Sequence, residues 1–232
     1  MCGRYTLANP DPKRLRLRFG LAESVRIAEE PRFNIAPTDP VLAVREGGEE
    51  PGRDLGRLRW GLVPGRWALE RKGRPLINAR AESVATQPAF AEAFRERRCL
   101  IPAAGFYEWR RDERGKGPVW VPRPDDELFA FAGLWAEYRP RGEEEPIVSC
   151  AIVTCGPNGV MRPIHDRMPV ILDPAAEGRW LDAEAGESEL LELLAPAPDA
   201  ATAVREVSDR VNSVREDGPE LIAPRETPAT LF

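Results

Sequence analysis

The sequence predicts an α+β fold: a mixed, mainly antiparallel β-sheet or barrel-like core with short helices at its periphery. Many short apolar segments have the pattern of strands, whereas few segments have helical spacing. The regular strand–helix alternation of a doubly wound fold is missing, as is a Gly-rich phosphate loop. The chain of 232 residues contains neither an internal repeat nor a strong linker, so we expect a single domain over residues 1–232.

Helix and strand signals follow each other in the first hundred residues. Asp11 as N-cap, Pro12 in the first turn and Gly20 at the end predict a short helix. A second helix is expected at 88–97, where the apolar residues fall on one face. Strands are expected at 41–45 and 58–63, joined by a polar, Gly-containing turn at 46–52.

The second half of the chain is dominated by strand-like runs. Asp173-Pro174 predicts a helix that runs to Leu181, and a further helix is expected at 188–194. Two segments, 139–145 and 195–201, have the composition of surface loops. Strands are expected at 99–101, 105–109, 119–122, 128–135, 147–154, 169–172 and 202–207.

Composition predicts an intracellular protein without a metal. No run of about 18 apolar residues could span a membrane, and no apolar signal-peptide stretch is found near the N-terminus. Four cysteines fit reduced thiols better than a disulfide framework. Cys150 and Cys155 have a Cys-x4-Cys spacing, but a second pair is missing and the chain has one histidine. These features argue against structural zinc, and we expect no cofactor.

The net charge of −5 is unevenly distributed along the chain. Residues 181–232 carry 4 basic and 12 acidic residues, a balance of −8, which leaves +3 on residues 1–180. Only 3 of the 33 basic residues are lysines, and arginine is the side chain that binds phosphate with a bidentate fork. Codon bias is the alternative explanation of this excess. A basic face for a nucleic acid is therefore compatible with the acidic total.

Cys2 follows the initiator Met1, and removal of Met1 would give it chemistry that no internal cysteine has. One residue would then carry an α-amine and a thiol on adjacent carbons, with ordinary pKa values near ~8 and ~8.5. The amine can condense with an aldehyde to a Schiff base, and the sulfur can then close a thiazolidine ring. The alternative is that Cys2 is merely the first residue of a disordered tail.

Several polar residues stand within apolar segments, where desolvation demands a reason. Glu108 lies among aromatic residues, which should raise its pKa as a general acid or base requires. Strand alternation places Asn78 and Arg80 on one face, where an amide and a guanidinium could hold an anionic ligand. The alternatives are an outward-facing residue for Glu108, a solvated strand edge for the pair, and a simple turn residue for Asn34. Histidine is the side-chain type that normally titrates near neutrality, which makes His165 a candidate, although a structural role is the commoner one.

Together these residues form a pattern that resembles the SOS response-associated peptidase (SRAP) family. Six motifs agree in order and approximate spacing, and segment 207–214 is similar to the closing stretch of the family. The resemblance covers almost the whole chain. The motifs are Met1-Cys2-Gly3-Arg4-Tyr5, Phe33-Asn34-Ile35-Ala36-Pro37, Trp60-Gly61-Leu62-Val63-Pro64, Ile77-Asn78-Ala79-Arg80, Gly105-Phe106-Tyr107-Glu108-Trp109 and Ile164-His165-Asp166-Arg167-Met168-Pro169.

The resemblance implies a DNA repair protein that traps abasic sites in single-stranded DNA as a stable thiazolidine crosslink. It makes Cys2 the nucleophile and Glu108 the acid/base beside it. It also implies that Asn78 orients the Cys2 amine or the opened sugar, and that His165 assists opening of the deoxyribose ring. The DNA-binding residues that it implies are Arg4, Asn34, Arg66, Trp67, Arg80 and Arg167.

One position departs from the family pattern. Many relatives place an aromatic residue two positions after the proline of the Trp60–Pro64 motif, where this chain has Arg66. Stacking on a base next to the lesion would then fall to Trp67 or to the plane of Arg66.

The resemblance further implies peptidase-like removal of Met1, self-catalysed or not. A lyase side activity is expected where ring closure fails, because a Schiff base promotes β-elimination. We expect a monomer that acts in the cytoplasm, at damaged DNA of the nucleoid. Two alternatives stay open: a cysteine peptidase that uses Cys2 and His165, and a non-covalent module for modified bases. The peptidase would not need Cys2 to be terminal, and the module would tolerate Cys2→Ala.

Overall fold

The computed structural model describes residues 2–47, 52–65, 76–112 and 115–225. Its helices are α1 (Pro12–Phe19), α2 (Ala91–Glu96), α3 (Pro174–Leu181) and α4 (Glu187–Glu192), with single 3-10 turns at Ala81–Ser83, Asp199–Ala201, Asp209–Asn212 and Pro219–Leu221. Its strands are β1 (Tyr5–Leu7), β2 (Arg32–Ile35), β3 (Pro40–Glu46), β4 (Arg53–Trp60), β5 (Asn78–Arg80), β6 (Arg98–Ala103), β7 (Gly105–Asp112), β8 (Gly115–Pro122), β9 (Phe129–Tyr138), β10 (Ile147–Cys155), β11 (Met168–Pro169), β12 (Ile171–Leu172) and β13 (Arg205–Glu206).

Five strands close into a barrel in the order β10-β4-β3-β6-β9, because β9 also pairs with β10. Four of these five pairings are antiparallel, and the pairing of β10 with β4 is parallel. The short strand β5 joins the barrel by parallel pairing with β10. The predicted mixed, mainly antiparallel, barrel-like core is therefore confirmed. Closure pairs the strand edges that an open sheet would expose.

A second sheet has the order β13-β8-β7-β1-β2. The chain passes from barrel strand β6 to β7 through Ala104, whose N–H donates to the carbonyl of Thr6 at 2.8 Å. Tyr5 of β1 stacks edge-on against two barrel residues, with ring centroids 5.4 Å from Trp60 and 5.6 Å from Phe131. These buried aromatic contacts pack the second sheet on the barrel, so that the N-terminus of the chain lies where the two sheets meet.

The predicted helices with clear capping signals are confirmed. The carboxylate of Asp11 accepts from the N–H of Arg14, and Gly20 ends α1 with a left-handed φ of 64°. Asp173 caps α3 in the same way through the N–H of Ala175. Both helices have eight residues, and no helix among the described residues is long and apolar enough to cross a membrane.

Several predicted helices and strands begin or end at residues other than those expected. The helix expected at 88–97 is limited to α2, because Phe90 before it is not helical, with φ −125°. The strand expected from residue 58 begins at Arg53, where it pairs with Glu46 of β3. The run 169–172 is divided into β11 and β12 by Val170, which bonds to Ala132 on one side and Val153 on the other.

Candidate active site

Cys2 lies buried at the start of the second sheet, with no exposed surface. The antiparallel pairing of β1 with β7 sets Tyr5 opposite Phe106. The pairing extends outward, because the N–H of Tyr107 donates to the carbonyl of Arg4 at 2.9 Å. Continued by one residue, this register sets Gly3 opposite Glu108, so that Cys2, the next residue toward the N-terminus, lies close to Glu108. Strand pairing thus joins two residues that are more than 100 positions apart in the sequence.

Asn78 holds Cys2 from the barrel side. Its Nδ2 donates to the carbonyl oxygen of Cys2 at 2.9 Å. The side chain is placed by β5, where parallel pairing with β10 sets Asn78 opposite Ile152. Its Oδ1 is buried and accepts no hydrogen bond from the residues that the structure describes. One half of the amide therefore anchors Cys2, and the other half is available to a donor.

Glu108 is buried beside Cys2, with 2% of its surface exposed. Burial raises the pKa of Glu108, and the positive charge of His165 partly offsets this shift. Burial likewise raises the pKa of the Cys2 thiol, and the charge of Glu108 raises it further. Glu108 therefore interacts electrostatically with both Cys2 and His165, and both the carboxyl and the thiol hold their protons more tightly than in water.

His165 belongs to the loop that leads into β11, and a backbone hydrogen bond of 2.9 Å to Met161 fixes its main chain. Its Nδ1 accepts the N–H of Arg167 at 3.0 Å and also lies 2.9 Å from Oδ1 of Asp166. The first contact requires a bare Nδ1 and the second a protonated one. The neutral ring therefore carries its proton on Nε2, and the contact with Asp166 becomes an ion pair when the ring is charged. The side chain is 27% exposed, so that His165 reaches solvent.

These four side chains supply an acid, a thiol, an amide and an imidazole at one junction. A carboxyl with a raised pKa can hold a proton near neutral pH and then release it, as a general acid must. Within the described ranges, no group of three or more His, Cys, Asp or Glu residues could hold a metal ion. A carboxyl and an imidazole can transfer protons, and a thiol can add to an electrophile.

Comparison with known protein families shows which family this chain belongs to. The family described as "SOS response associated peptidase (SRAP)" has a sequence model that matches residues 1–214 of this chain. The chain belongs to the SRAP family.

Curated proteins related to this SRAP chain share one type of name. It is 39% identical over 227 residues to abasic site processing protein YoqW of Bacillus subtilis, with 96% of this chain and 99% of that protein covered. It is 32% identical to abasic site processing protein YedK of Escherichia coli, with 97% and 100% covered. Abasic site processing protein HMCES of Gallus gallus is also 32% identical, with 84% of this chain and 67% of that protein covered.

Solved structures share the SRAP fold found here. A crystal structure of a protein from Bacteroides thetaiotaomicron matches with a TM-score of 0.81 at 21% identity, covering 97% of this chain and 100% of that one. A protein from Bordetella bronchiseptica matches with a TM-score of 0.76 at 27% identity, covering 89% and 100%. The first of these similarities concerns the fold alone.

The structure joins Arg4 and Asn34, two SRAP motif residues, in one buried network. Nη1 of Arg4 donates to Oδ1 of Asn34 and to the carbonyl of Val211, both at 2.8 Å. Nδ2 of Asn34 donates to carbonyls of the C-terminal segment, at 2.9 Å for Ser213 and 2.8 Å for Glu216. Asn34 is 2% exposed. The expected contact between Asn34 and DNA does not fit this geometry, because its amide hydrogens are already used.

The other predicted DNA-binding residues differ in whether contacts within the protein already engage their side chains. Arg80 is exposed, and in the part of the chain that the structure describes no hydrogen bond or close ion pair engages its guanidinium. Arg167 is 15% exposed and engaged, because it forms an ion pair with Glu82 and bonds to the carbonyl of Thr154. Arg66 and Trp67 lie outside the described residues.

Sequence reasoning missed the contribution of the last described segment. Nε1 of Trp109 donates to Oδ1 of Asn212 at 2.7 Å, next to Glu108 in the chain. Asp217 accepts from the backbone N–H groups of Phe33 and Asn34. Only the resemblance of 207–214 to the end of the family pointed to this region, and no local signal marks Asp217.

Proposed function

We propose that this SRAP protein repairs DNA by covalently trapping abasic sites in single-stranded DNA. The trap is a thiazolidine formed by Cys2 after Met1 has been removed. The names of its relatives support the lesion: proteins up to 39% identical over nearly the whole chain are abasic site processing proteins. The observation that carries the chemistry is the position of Cys2, held by the Asn78 amide and next to the buried Glu108, whose pKa is raised by burial.

The first step opens the sugar. An abasic deoxyribose is mostly a closed hemiacetal, and it becomes an aldehyde when its anomeric hydroxyl loses a proton and its ring oxygen gains one. His165 suits this step, because its neutral ring carries a proton on Nε2 and its side chain is partly exposed. That proton passes to the ring oxygen, and the imidazole is restored by the proton released from the hydroxyl.

Glu108 then performs two proton transfers in turn. The Cys2 amine adds to C1′ of the aldehyde, and protonated Glu108 gives its proton to the hydroxyl that leaves as water. An iminium and a Glu108 carboxylate result. As Sγ of Cys2 attacks the iminium carbon, its proton passes to that carboxylate, which restores Glu108. The net reaction is aldehyde plus aminothiol to thiazolidine plus water, and it consumes no cofactor.

The raised pKa values fit this order of events. Because burial keeps the thiol protonated, sulfur attack requires a base at the same moment, and Glu108 becomes that base only after imine formation. Oδ1 of Asn78, which accepts no hydrogen bond from the described residues, is suited to accept an N–H of the Cys2 amine and so to aim the lone pair of that amine at the sugar. We further propose phosphate contacts for Arg4 and Arg80.

Other DNA contacts and activities complete the proposal. Base stacking is assigned to Trp67 or to the plane of Arg66. A phosphate contact by Arg167 would require its ion pair with Glu82 to open. If sulfur addition fails, the imine promotes β-elimination and strand cleavage, which gives a lyase side activity. Removal of Met1 is the peptidase-like step that the family name describes.

A cysteine peptidase that uses Cys2 and His165 is the alternative. Such an enzyme needs a thiolate, which cationic or polar surroundings stabilise by lowering the thiol pKa. Here burial raises that pKa. The geometry therefore favours the aldehyde trap. A non-covalent module for modified bases would give no account of the buried acid beside Cys2.

The proposal is tested by mixing the protein with single-stranded DNA that carries one abasic site. We expect a heat- and SDS-stable adduct on a denaturing gel, confirmed by intact mass, and none with undamaged DNA. Cys2→Ala should abolish the adduct. Cys99→Ala is the matched control, because it removes another buried thiol, on barrel strand β6 and outside the site. An adduct that persists unchanged in Cys2→Ala would overturn the proposal.

A further inference from the structure

The C-terminal segment 207–225 packs against the second sheet on the side away from the barrel. It forms a small apolar core that is separate from the main one. Its last described turns are tied to each other by ion pairs of Arg210 with Glu216 and of Arg225 with Asp209. The core residues are Tyr107, Trp120, Val207, Val211 and Leu221. The segment is thus attached firmly enough to hold other residues in place.

Asp217 of this segment binds the start of β2. One carboxylate oxygen, Oδ1, accepts the backbone N–H groups of Phe33 and Asn34. The other, Oδ2, accepts Nε of Arg32 at 2.7 Å. Charge-assisted hydrogen bonds of this kind are stronger than neutral ones. Asp217 therefore fixes the backbone of the strand residues that include Asn34.

Asn34 transmits this constraint to Arg4. Its Nδ2 is bonded to carbonyls of the same C-terminal segment, so its side chain has one orientation, with Oδ1 turned to Arg4. The guanidinium of Arg4 uses only Nη1 for these contacts. No residue in the described ranges accepts a hydrogen bond from its Nη2 or Nε, so the second edge of the fork is free for an anion.

We propose that Asp217 is a positioning residue for DNA recognition. It acts through Asn34 to hold Arg4 so that the free edge of the guanidinium meets a phosphate next to the lesion. This inference rests on the proposed function, because it takes DNA as the ligand of Arg4. Arg4 is two residues from Cys2, so the same constraint sets the reactive residue against the bound strand. Asp217 lies beyond residues 1–214, the part that matches the family description.

The test measures non-covalent binding to single-stranded DNA that carries a tetrahydrofuran abasic analogue, which has no aldehyde. Each phosphate contact on a single strand contributes about −0.7 to the slope of log affinity against log salt. Asp217→Ala should flatten the slope by about that amount, as should Arg4→Ala. The double variant should bind no more weakly than Arg4→Ala, because both changes remove the same contact.

Two further variants separate positioning from charge and stability. Asp209→Ala is the control: it removes a carboxylate of the same segment that pairs with Arg225 and does not touch β2. It should leave the slope unchanged. Asp217→Asn keeps an oxygen for the two backbone N–H groups and should restore most of the slope. If Asp217→Ala does not fold, Asn34→Ser is used instead, because it removes the amide oxygen that accepts from Arg4. The double variant of Asn34→Ser and Arg4→Ala should then bind no more weakly than Arg4→Ala alone.

The outcomes distinguish this inference from the proposed function. An unchanged slope in folded Asp217→Ala, or equal losses in the presence and absence of Arg4, would overturn the positioning role. Crosslinking by the wild-type protein would still stand. Conversely, if wild-type protein forms no adduct with a true abasic site but the slope depends on Asp217, the trap is wrong and the positioning of Arg4 is retained.

Discussion

Replacing Glu108 by glutamine is the sharpest test of the proposed proton transfers. The change keeps the size of the side chain and most of its hydrogen-bonding capacity, but removes the proton that would be given to the leaving hydroxyl. It also removes the carboxylate that would receive the thiol proton. Because Glu108 is 2% exposed, water and buffer cannot easily take its place.

The expected loss follows from this burial. A positioned acid/base group contributes about 10²–10⁴-fold to a rate. With solvent excluded, we expect crosslinking at saturating DNA to slow by about 10² or more. Each factor of ten corresponds to about 1.36 kcal/mol, so the barrier should rise by about 2.7 kcal/mol or more. Binding of the non-reactive abasic analogue should change little, because the glutamine side chain has the size of the glutamate that it replaces.

The pH dependence gives a second signature. Burial raises the pKa of Glu108, so the folded protein holds this proton more tightly than the unfolded chain. The resulting stabilisation is fully present below the ordinary glutamate pKa and is lost as pH rises through the raised folded value. As pH rises through that window, the stability of Glu108→Gln relative to wild type should therefore increase. The wild-type crosslinking rate should fall with pH in the same window, and the variant should lack this fall.

The assay is single-turnover crosslinking on denaturing gels across a pH series, with thermal melting of the same samples. Glu206→Gln is the matched control, because it removes a carboxylate that is largely exposed and paired with Arg110. A rate within about twofold of wild type for Glu108→Gln would return Glu108 to a structural role. A stability difference between Glu108→Gln and wild type that stays constant across the pH series would contradict the raised pKa.

Three other expectations concern DNA contacts, loop support and packing. Arg80→Ala should flatten the salt dependence of binding by about 0.7, measured by titration at several salt concentrations. Glu82→Gln should slow crosslinking by less than about tenfold, since its ion pair is half-exposed and the backbone still holds His165. Gly133→Ala should reduce the free energy of unfolding by about 1–3 kcal/mol in denaturant melts, because the new Cβ would lie 2.7 Å from a cysteine sulfur. Gly156→Ala has nothing within 4 Å and is its control.

The sequence predicted the elements whose signals are local. Asp11 and Gly20 define α1 by capping within a few residues, and Asp173 does so for α3, so the structure confirms both helices. The strands β1 and β2 were not predicted from periodicity. They have three and four residues and exist because β1 pairs with β7 on one side and with β2 on the other. A short strand of this kind is defined by its partners, which a local pattern does not contain.

The candidate site likewise combines features that a local sequence pattern reveals with features that depend on distant partners. Glu108 was found because a carboxylate among aromatic residues is a local anomaly, and its burial and raised pKa are confirmed. Asn78 was found as a motif residue, but its bond to the carbonyl of Cys2 required the pairing of β5 with β10. The network from Asp217 to Arg4 spans more than 200 residues of sequence and leaves no local trace. Local patterns therefore revealed reactive groups and missed the residues that position them.

The most direct test of the trap is peptide mass spectrometry of the nuclease-digested adduct, with a second sample whose Cys2 amine is chemically blocked. The imine and the thiazolidine have the same mass, so each digest is also treated with borohydride and with a thiol-alkylating reagent. The account predicts an adduct on the peptide that begins with Cys2, inert to both reagents, and no adduct when the amine is blocked. Crosslinking through one of the three lysines, or full crosslinking by the blocked protein, would contradict it.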